Sequence, residues 1–312
     1  ASICKTDLTS DLVGEFPELQ GVMGGYFSSH QGFDKDISLA LTEQYLPIGL
    51  NSKIPRKPFS VTLSITDKID TLVGFFGINE KPTSSKDPFA LRRLALGIIR
   101  TIIENKKDLK VKDLLDYSES LYQEQGHSFS NKVLKDELNN FLKDRFKYYL
   151  KEKNIRYDII DAIISSFTLN KLFSSFEKAQ SINKIINSQI GYDITSSYKR
   201  ASNILENEMK NKEVDFNNTT DPGIFKTEFE KNLLKKIDEI KKYYSNIDND
   251  ENYVQSLSIL AGAKKEIFEF LDNVKVNEEN EDLRKNRLEL INMLCKTFQN
   301  FMNFQLLKTN NE

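Results

Sequence analysis

Amphipathic helical segments recur along almost the whole chain, and they limit the possible folds more than any other feature. In the stretch 87–105, Asp87 is suited to cap a helix and Pro88 to occupy its first position. Apolar residues then recur at helical spacings of three and four: Leu91, Leu94, Ala95, Ile98 and Ile102. The segment 61–66 comes closest to the alternation of a β-strand, but it runs directly into another apolar stretch. The sequence therefore predicts an all-α fold.

Six further segments show the same helical pattern: 132–153, 158–167, 169–187, 225–246, 253–274 and 282–307. A chain of 312 residues is long enough for two domains, and we predict a division into 1–175 and 176–312. The first residues already have the apolar pattern of a helix interior, and no Met precedes Ala1. We therefore expect that an N-terminal part is missing.

Composition excludes several classes of protein. The two cysteines, Cys4 and Cys295, cannot form a disulfide framework, which suits a reducing, cytoplasmic location. No apolar run is long enough to predict a membrane span, so we expect no membrane association. The net charge of -2 argues against non-specific coating of nucleic acid, although it permits local basic patches.

No self-contained catalytic motif is present. Two histidines without metal-ligand spacing do not support a zinc site, and no phosphate-binding glycine loop or serine-hydrolase elbow occurs. Asp67 and Asp70 lie three residues apart on one helical face, but such a lone pair is usually solvated or salt-bridged.

Two basic segments are candidates for contact with a phosphate backbone. The loop 46–59 contains Lys53, Arg56 and Lys57 and no acid. The turn at 82–90 contains Lys86 and leads into a helix that starts with Arg92 and Arg93. Arginine suits phosphate because its planar guanidinium donates two parallel hydrogen bonds. A structural role in packing the turn is equally compatible with Arg92 and Arg93, and composition alone favours a solvated or ion-paired face.

Long motifs give the chain a specific resemblance. The stretches EFPELQG (15–21) and PTSSKDPFALRR (82–93), together with SYKRASNIL (197–205), TDPGIF (220–225) and EDLRKNRLELI (281–291), resemble the β subunit of bacterial heterotetrameric glycyl-tRNA synthetase. The resemblance is collinear over almost the whole chain. Complete β subunits are considerably longer, so the chain resembles their C-terminal half.

For the first part, the resemblance implies a helical domain like the HD domain of metal-dependent phosphohydrolases. The His-Asp doublet of that fold corresponds to Thr6-Asp7, its final Asp to Asp67, and a later position that is often His is Gln44. A site without imidazoles would bind transition metals poorly. We therefore expect a non-hydrolytic scaffold with no metal, in which Asp7 and Asp67 are vestigial.

For the last part, the resemblance implies a DALR-type helical-bundle domain that binds the anticodon end of tRNA. In the family, aminoacylation and ATP binding belong to the separate α subunit. The chain is thus expected to be a non-catalytic part of glycine–tRNA ligase that binds and orients tRNA(Gly). It would hold no cofactor, since the holoenzyme uses ATP and Mg²⁺ through the α subunit. Its partners would be tRNA(Gly), the α subunit and a second β subunit in the heterotetramer.

Basic residues inside the matching motifs are the candidates for RNA contact in this second domain: Lys199, Arg200, Arg284, Lys285 and Arg287. RNA loops are bound by stacking and base-edge hydrogen bonds beside a basic backbone track. Arg284 and Arg287 lie three residues apart and hence on one helix face. The alternative for each is an ion pair within the domain, for example with the acids at 278–282.

Two rival functions remain at this point. One is an HD-type metal phosphohydrolase, which the lack of a His-Asp doublet disfavours. The other is a structural subunit that assembles the tetramer without touching tRNA.

Overall fold

The computed structural model describes residues 2–49, 51–211, 216–245 and 252–308. Helices and short 3-10 turns make up its regular structure, and no strand occurs in these ranges, so the all-α prediction is confirmed. Two compact units can be distinguished. One contains the residues up to Lys153 together with Phe167–Phe176, and the other contains Asn154–Ser166 and the residues from Glu177 onward. The predicted domain division after residue 175 is not tested by this grouping and stays a prediction.

The helices of the first unit are α1 (Asp11–Glu15), α2 (Val22–His30), α3 (Lys35–Glu43), α4 (Pro58–Gly77), α5 (Leu91–Glu104), α6 (Val111–Glu124) and α7 (Leu134–Glu152). The second unit contains α8 (Tyr157–Ser165), α10 (Gln189–Asn211), α11 (Glu228–Ser245), α12 (Tyr253–Ala261), α13 (Lys264–Asn273) and α14 (Glu281–Gln299). Helix α9 (Leu172–Ile185) includes the boundary between the units. In the described ranges, none of the helices combines the length and apolar character needed to cross a membrane.

Helix α4 is the centre of the first unit, since α3, α5, α6 and α7 all contact it. Its apolar residues recur at helical spacing, and Ile69, Leu72, Val73 and Phe76 are buried. The segment 61–66, which came closest to a strand pattern, lies inside this helix. Burial on several sides explains why its apolar pattern is not confined to one stripe.

In the second unit, helix α14 packs against α10 and α11, and α10 also contacts α12 and α13. Helix α14 is buried without interruption from Asn286 to Cys295. Phe298 in its last turn and Phe304 beyond its end lie edge to face with ring centroids 5.9 Å apart, and both contact Tyr198 of α10. The helix predicted over 282–307 therefore ends at Gln299, where the chain turns to bury these aromatic rings.

Two other predicted helices differ from the structure in an instructive way. Helix α5 begins at Leu91 and not at Pro88, because Ala90 has a positive φ of 54°. Asp87 nevertheless caps the helix, since its carboxylate accepts hydrogen bonds from Leu91 N at 2.8 Å and Arg92 N at 3.0 Å. The segment 253–274 forms two helices, α12 and α13, separated at Gly262, a residue of low helix propensity. The end predicted for the segment 225–246 falls on residue 246, outside the described residues.

The close approach of α2 and α3 depends on a glycine. The hydroxyls of Ser28 and Ser38 lie 3.1 Å apart in this buried contact. A Cβ added to Gly25 would lie 2.8 Å from the Ser38 carbonyl oxygen and would overlap the Thr42 hydroxyl. Only glycine fits here without moving a helix.

We predict that Gly25→Ala lowers the free energy of unfolding by about 2–3 kcal/mol, because the added methyl forces α2 and α3 apart. Gly14→Ala is the matched control, since no heavy atom lies within 4 Å of its added Cβ. Replacing this helical glycine should be neutral or stabilise by up to about 1 kcal/mol. Urea unfolding followed by circular dichroism measures both changes. Equal midpoints for the two variants would contradict the packing argument.

Candidate nucleic-acid interface

The two carboxylates at the HD-like positions are engaged within the protein. Asp7 is 1% exposed, and its Oδ2 accepts a hydrogen bond from Gly21 N at 2.6 Å. Asp67, on α4, forms an ion pair of 2.8 Å with the Lys5 ammonium. Burial lowers the pKa of Lys5, but the hydrogen bond to Asp67 and the attraction of nearby negative charge, mainly that of Asp67, together outweigh burial and raise the pKa, so Lys5 stays charged.

These residues do not fit a divalent metal. The Lys5 ammonium already supplies a positive charge at Asp67. Gln44, at the position that is often His in the family, donates its Nε2 hydrogen to the Cys4 carbonyl at 2.6 Å, and its neutral amide supplies neither an imidazole nor a negative charge. Over the described ranges, no group of three or more His, Cys, Asp or Glu side chains could hold a metal ion.

Lys68 follows Asp67 and has a structural role of its own. Its side chain is 1% exposed, and the ammonium donates to the carbonyls of Gln44 at 3.1 Å and Leu46 at 2.8 Å and to Ser64 Oγ at 2.8 Å. Burial lowers the pKa of Lys68 to about 8. These bonds fasten the start of the basic loop to α4.

In the loop 46–59, one predicted cation is free and two are engaged. Arg56 donates to the Glu104 carbonyl, and Lys57 forms an ion pair of 2.6 Å with Asp36. The hydrogen bond to Asp36 raises the pKa of Lys57. Lys53 is exposed and makes no side-chain hydrogen bond or ion pair with the described part of the chain.

In the turn before α5 and the start of that helix, one basic residue is also bonded within the protein and two are not. Arg92 donates to the Thr83 carbonyl and forms an ion pair of 4.0 Å with Asp87. It therefore has the structural role of packing the turn, which was one of the two roles compatible with its sequence position. Phe89 stacks on Phe75 of α4 with ring centroids 4.1 Å apart and fixes the turn from the other side. Two exposed cations make no side-chain bond to a described residue: Lys86 and Arg93.

In the second unit, all three predicted arginines form internal contacts. Arg200 pairs with Asp272, and its guanidinium carbon lies 4.8 Å from the centroid of the Phe268 ring. Arg284 pairs with Glu208, and Lys199 is half-buried on α10. Lys285 is exposed and has no side-chain partner among the described residues.

Arg287 is the most deeply engaged of these residues. Its side chain is 5% exposed, and its Nε donates to Oε1 of the fully buried Glu230 at 2.8 Å. It also donates to the Lys275 carbonyl at 2.8 Å and approaches Glu278 at 3.5 Å. The internal ion pair is therefore observed for Arg287, and its contact with tRNA stays a prediction that this burial disfavours.

Glu230 connects this pair to the start of α11. Its Oε2 accepts hydrogen bonds from Lys226 N at 2.8 Å and from Thr227 N at 2.7 Å, while its own N–H lies 3.4 Å from Thr227 Oγ1. Thr227 and Glu230 thus form a reciprocal cap three residues apart. Arg287 holds this cap, and so it fixes where α11 begins on α14.

The structure also brings forward cations that the sequence analysis did not single out. Exposed lysines without a partner among the described residues lie along α11: Lys235, Lys241 and Lys242. A helical plot of 228–245 could have found Lys235 and Lys242, because they lie opposite the buried face that Leu233, Ile237 and Ile240 define.

Comparisons with known proteins agree with the motifs. The sequence model of the family "Glycyl-tRNA synthetase beta subunit" matches residues 1–165, and the sequence model of the family "DALR anticodon binding domain" matches residues 194–310. The glycine–tRNA ligase beta subunit of Rickettsia prowazekii (strain Madrid E) is 36% identical over 306 residues, which cover 97% of this chain and 43% of that protein. The beta subunit of Rickettsia canadensis (strain McKiel) is 37% identical over 307 residues, or 98% of this chain and 44% of that protein.

These matches place the chain among proteins of the aminoacyl-tRNA synthetase class. It belongs to the glycyl-tRNA synthetase beta subunit family, which confirms the resemblance found in the sequence. The chain spans less than half the length of the curated relatives it matches.

We predict that Arg287→Ala lowers the free energy of unfolding by about 3–5 kcal/mol, because it leaves Glu230 buried and unpaired. Lys285→Ala, two residues away on the exposed face, should change it by less than about 0.5 kcal/mol. Denaturant unfolding gives both values, and hydrogen exchange should show faster opening of the first turn of α11 in Arg287→Ala alone. Similar stability of the two variants would contradict the structural role of the pair.

The same pair predicts a dependence of stability on pH. Burial alone would raise the pKa of Glu230, but the hydrogen bonds from Arg287 and Thr227 outweigh it and hold the pKa below its ordinary value of 4.5. A carboxyl whose pKa is lower in the folded state stabilises fully above its unfolded pKa and less as the pH falls through the folded value. Wild type should therefore lose its advantage over Glu230→Gln as the pH drops below about 4.5. A constant difference in unfolding free energy would contradict this assignment.

Proposed function

We propose that this chain is part of the β subunit of a glycine–tRNA ligase and that it binds and orients tRNA(Gly). One observation carries the proposal: the chain matches the beta-subunit family over residues 1–165 and then the anticodon-binding domain family over residues 194–310. ATP-dependent glycylation would be carried out with the α subunit, which would use ATP and Mg²⁺. A cytoplasmic heterotetramer that includes a second β subunit is part of the same proposal.

The contribution of this chain would be positional. Holding the RNA so that its acceptor end reaches a separate active site can supply several kcal/mol of a barrier, because it replaces an encounter in solution. Exposed cations with no described side-chain partner suit contact with phosphates: Lys53, Lys86, Arg93 and Lys285. Internal bonds would support these cations within each unit separately: those of Arg92 in the first unit, and those of Arg200, Arg284 and Arg287 in the second.

A second candidate is a scaffold that assembles the subunits without contacting tRNA. It is supported by apolar side chains that are exposed near the start of the first unit: Leu8, Leu12, Phe16 and Tyr26. Such exposure favours contact with another protein surface. A metal-dependent phosphohydrolase has no comparable support, since Lys5 is paired with Asp67.

We predict that the complete β subunit and the α subunit form glycyl-tRNA only in combination, and that this chain alone forms none. Footprinting of tRNA(Gly) on the complete ligase should show protection of the anticodon arm. Protection confined to the acceptor end, with normal glycylation, would favour the scaffold. Glycylation by this chain alone would overturn the assignment of a non-catalytic role.

A further inference from the structure

A groove of about 410 Å³ lies beside the outer face of α11 in the second unit. Its walls include Pro222, Phe225, Lys231, Lys235, Asp238 and Lys242. We call this feature the α11 groove. None of its residues is among the candidates from the sequence analysis, although it lies within the region that the anticodon-binding model matches.

The lysines of the α11 groove follow one side of the helix. Lys231, Lys235 and Lys242 are four and seven residues apart, which places them over about 16 Å of helix axis. Lys231 is paired with Glu228 at 2.8 Å. Lys235 and Lys242 are exposed and have no side-chain partner in the described part of the chain, so both ammonium groups are available to an anion.

An aromatic ring and a carboxylate complete the lining. Phe225 is half-buried where the chain enters α11, so part of its ring faces the groove. Asp238 is exposed and makes no side-chain hydrogen bond or ion pair to a described residue, whereas the neighbouring Glu239 pairs with Lys236 at 3.3 Å. The free carboxylate thus lies between the two free ammonium groups along the helix.

The walls of the groove are held by side-chain hydrogen bonds from α14. Asn286 accepts a hydrogen bond from Asp221 N at 2.8 Å and donates one to the Asp221 carbonyl at 3.0 Å. Arg287 fixes the cap of α11 through Glu230. The segment 221–225 and the helix are therefore positioned independently of any ligand, as expected for a largely preformed binding site.

We propose that the α11 groove binds an unpaired, amino-bearing nucleotide of the tRNA and its flanking phosphates. Phe225 stacks on the base, and Lys235 and Lys242 contact phosphates on either side. Asp238 accepts a hydrogen bond from the exocyclic amino group, which cytosine or adenine offers and uracil lacks. This inference rests on the proposed function and adds to it a defined site and a base preference.

The charge contacts are tested in the complete ligase with Lys235→Gln/Lys242→Gln. The matched control is Lys241→Gln/Lys265→Gln. It also removes two exposed positive charges, one on α11 and one on α13, and neither residue lines the groove. Loss of two phosphate contacts should reduce the slope of log affinity against log salt by about 1.4 and weaken tRNA binding by about ten-fold. The control should retain the wild-type slope.

The base contact is tested with RNA hairpins whose loops contain cytosine or uracil at the same unpaired positions. Wild type should prefer the cytosine loop, Asp238→Ala should bind both loops equally, and Phe225→Ala should lose about five-fold or more in affinity for both. Circular dichroism confirms that each variant is folded, and Asp238→Ala, at an exposed position, keeps the test valid if Phe225→Ala is unstable.

The outcomes separate the two levels of the proposal. If wild-type ligase does not bind tRNA(Gly), the proposed function fails and the α11 groove fails with it. If wild type binds while the groove and control variants have equal affinity and salt slope, or if Asp238→Ala keeps the cytosine preference, the groove assignment alone is overturned.

Discussion

The buried contact between Arg287 and Glu230 determines how the second unit is built. A buried ion pair is tolerated only when its remaining donors and acceptors are satisfied, and here the backbone of Lys226, Thr227 and Lys275 provides the additional bonds. Since Glu230 also caps α11, the pair sets the position of this helix on α14. The buried face of α11 follows from that position, and so does the face that is left to solvent.

The first unit uses its cations in a similar way. Arg100, which is 5% exposed, donates to the carbonyls of Gly49 and Ser52, while Lys68 donates to those of Gln44 and Leu46. The basic loop is therefore held at several points by side chains that lie beneath it. Lys53 projects from a fixed segment, which lowers the entropy lost when such a residue contacts a ligand. Arg100 and Lys68, which are buried, thus position the loop that carries the exposed Lys53.

Sequence predicted the class of fold and the family, because helical periodicity and long motifs are local signals. It did not predict which cations are internal. Arg287 does pair with Glu278, one of the expected acids, at 3.5 Å. The shorter ion pairs of Arg284 and Arg287 are with Glu208 and Glu230, which lie 76 and 57 residues away in the chain and were not among the expected acids. The start of α5 was also wrong, since nothing local indicates that Ala90 adopts a left-handed conformation. The α11 lysines alternate with acids and therefore resemble an ordinary solvated face.

The nearly balanced net charge matters because some cations are bonded within the protein and only some are exposed without a described partner. With 44 basic and 46 acidic residues, the chain has no general attraction for polyanions. Internal ion pairs, such as Arg284 with Glu208 and Arg287 with Glu230, engage further cations within the fold. Binding then requires that several phosphates match the few available cations at once. Under the proposed function, such a surface would select an RNA by its shape, and its selectivity would depend on the same buried pairs that stabilise the fold.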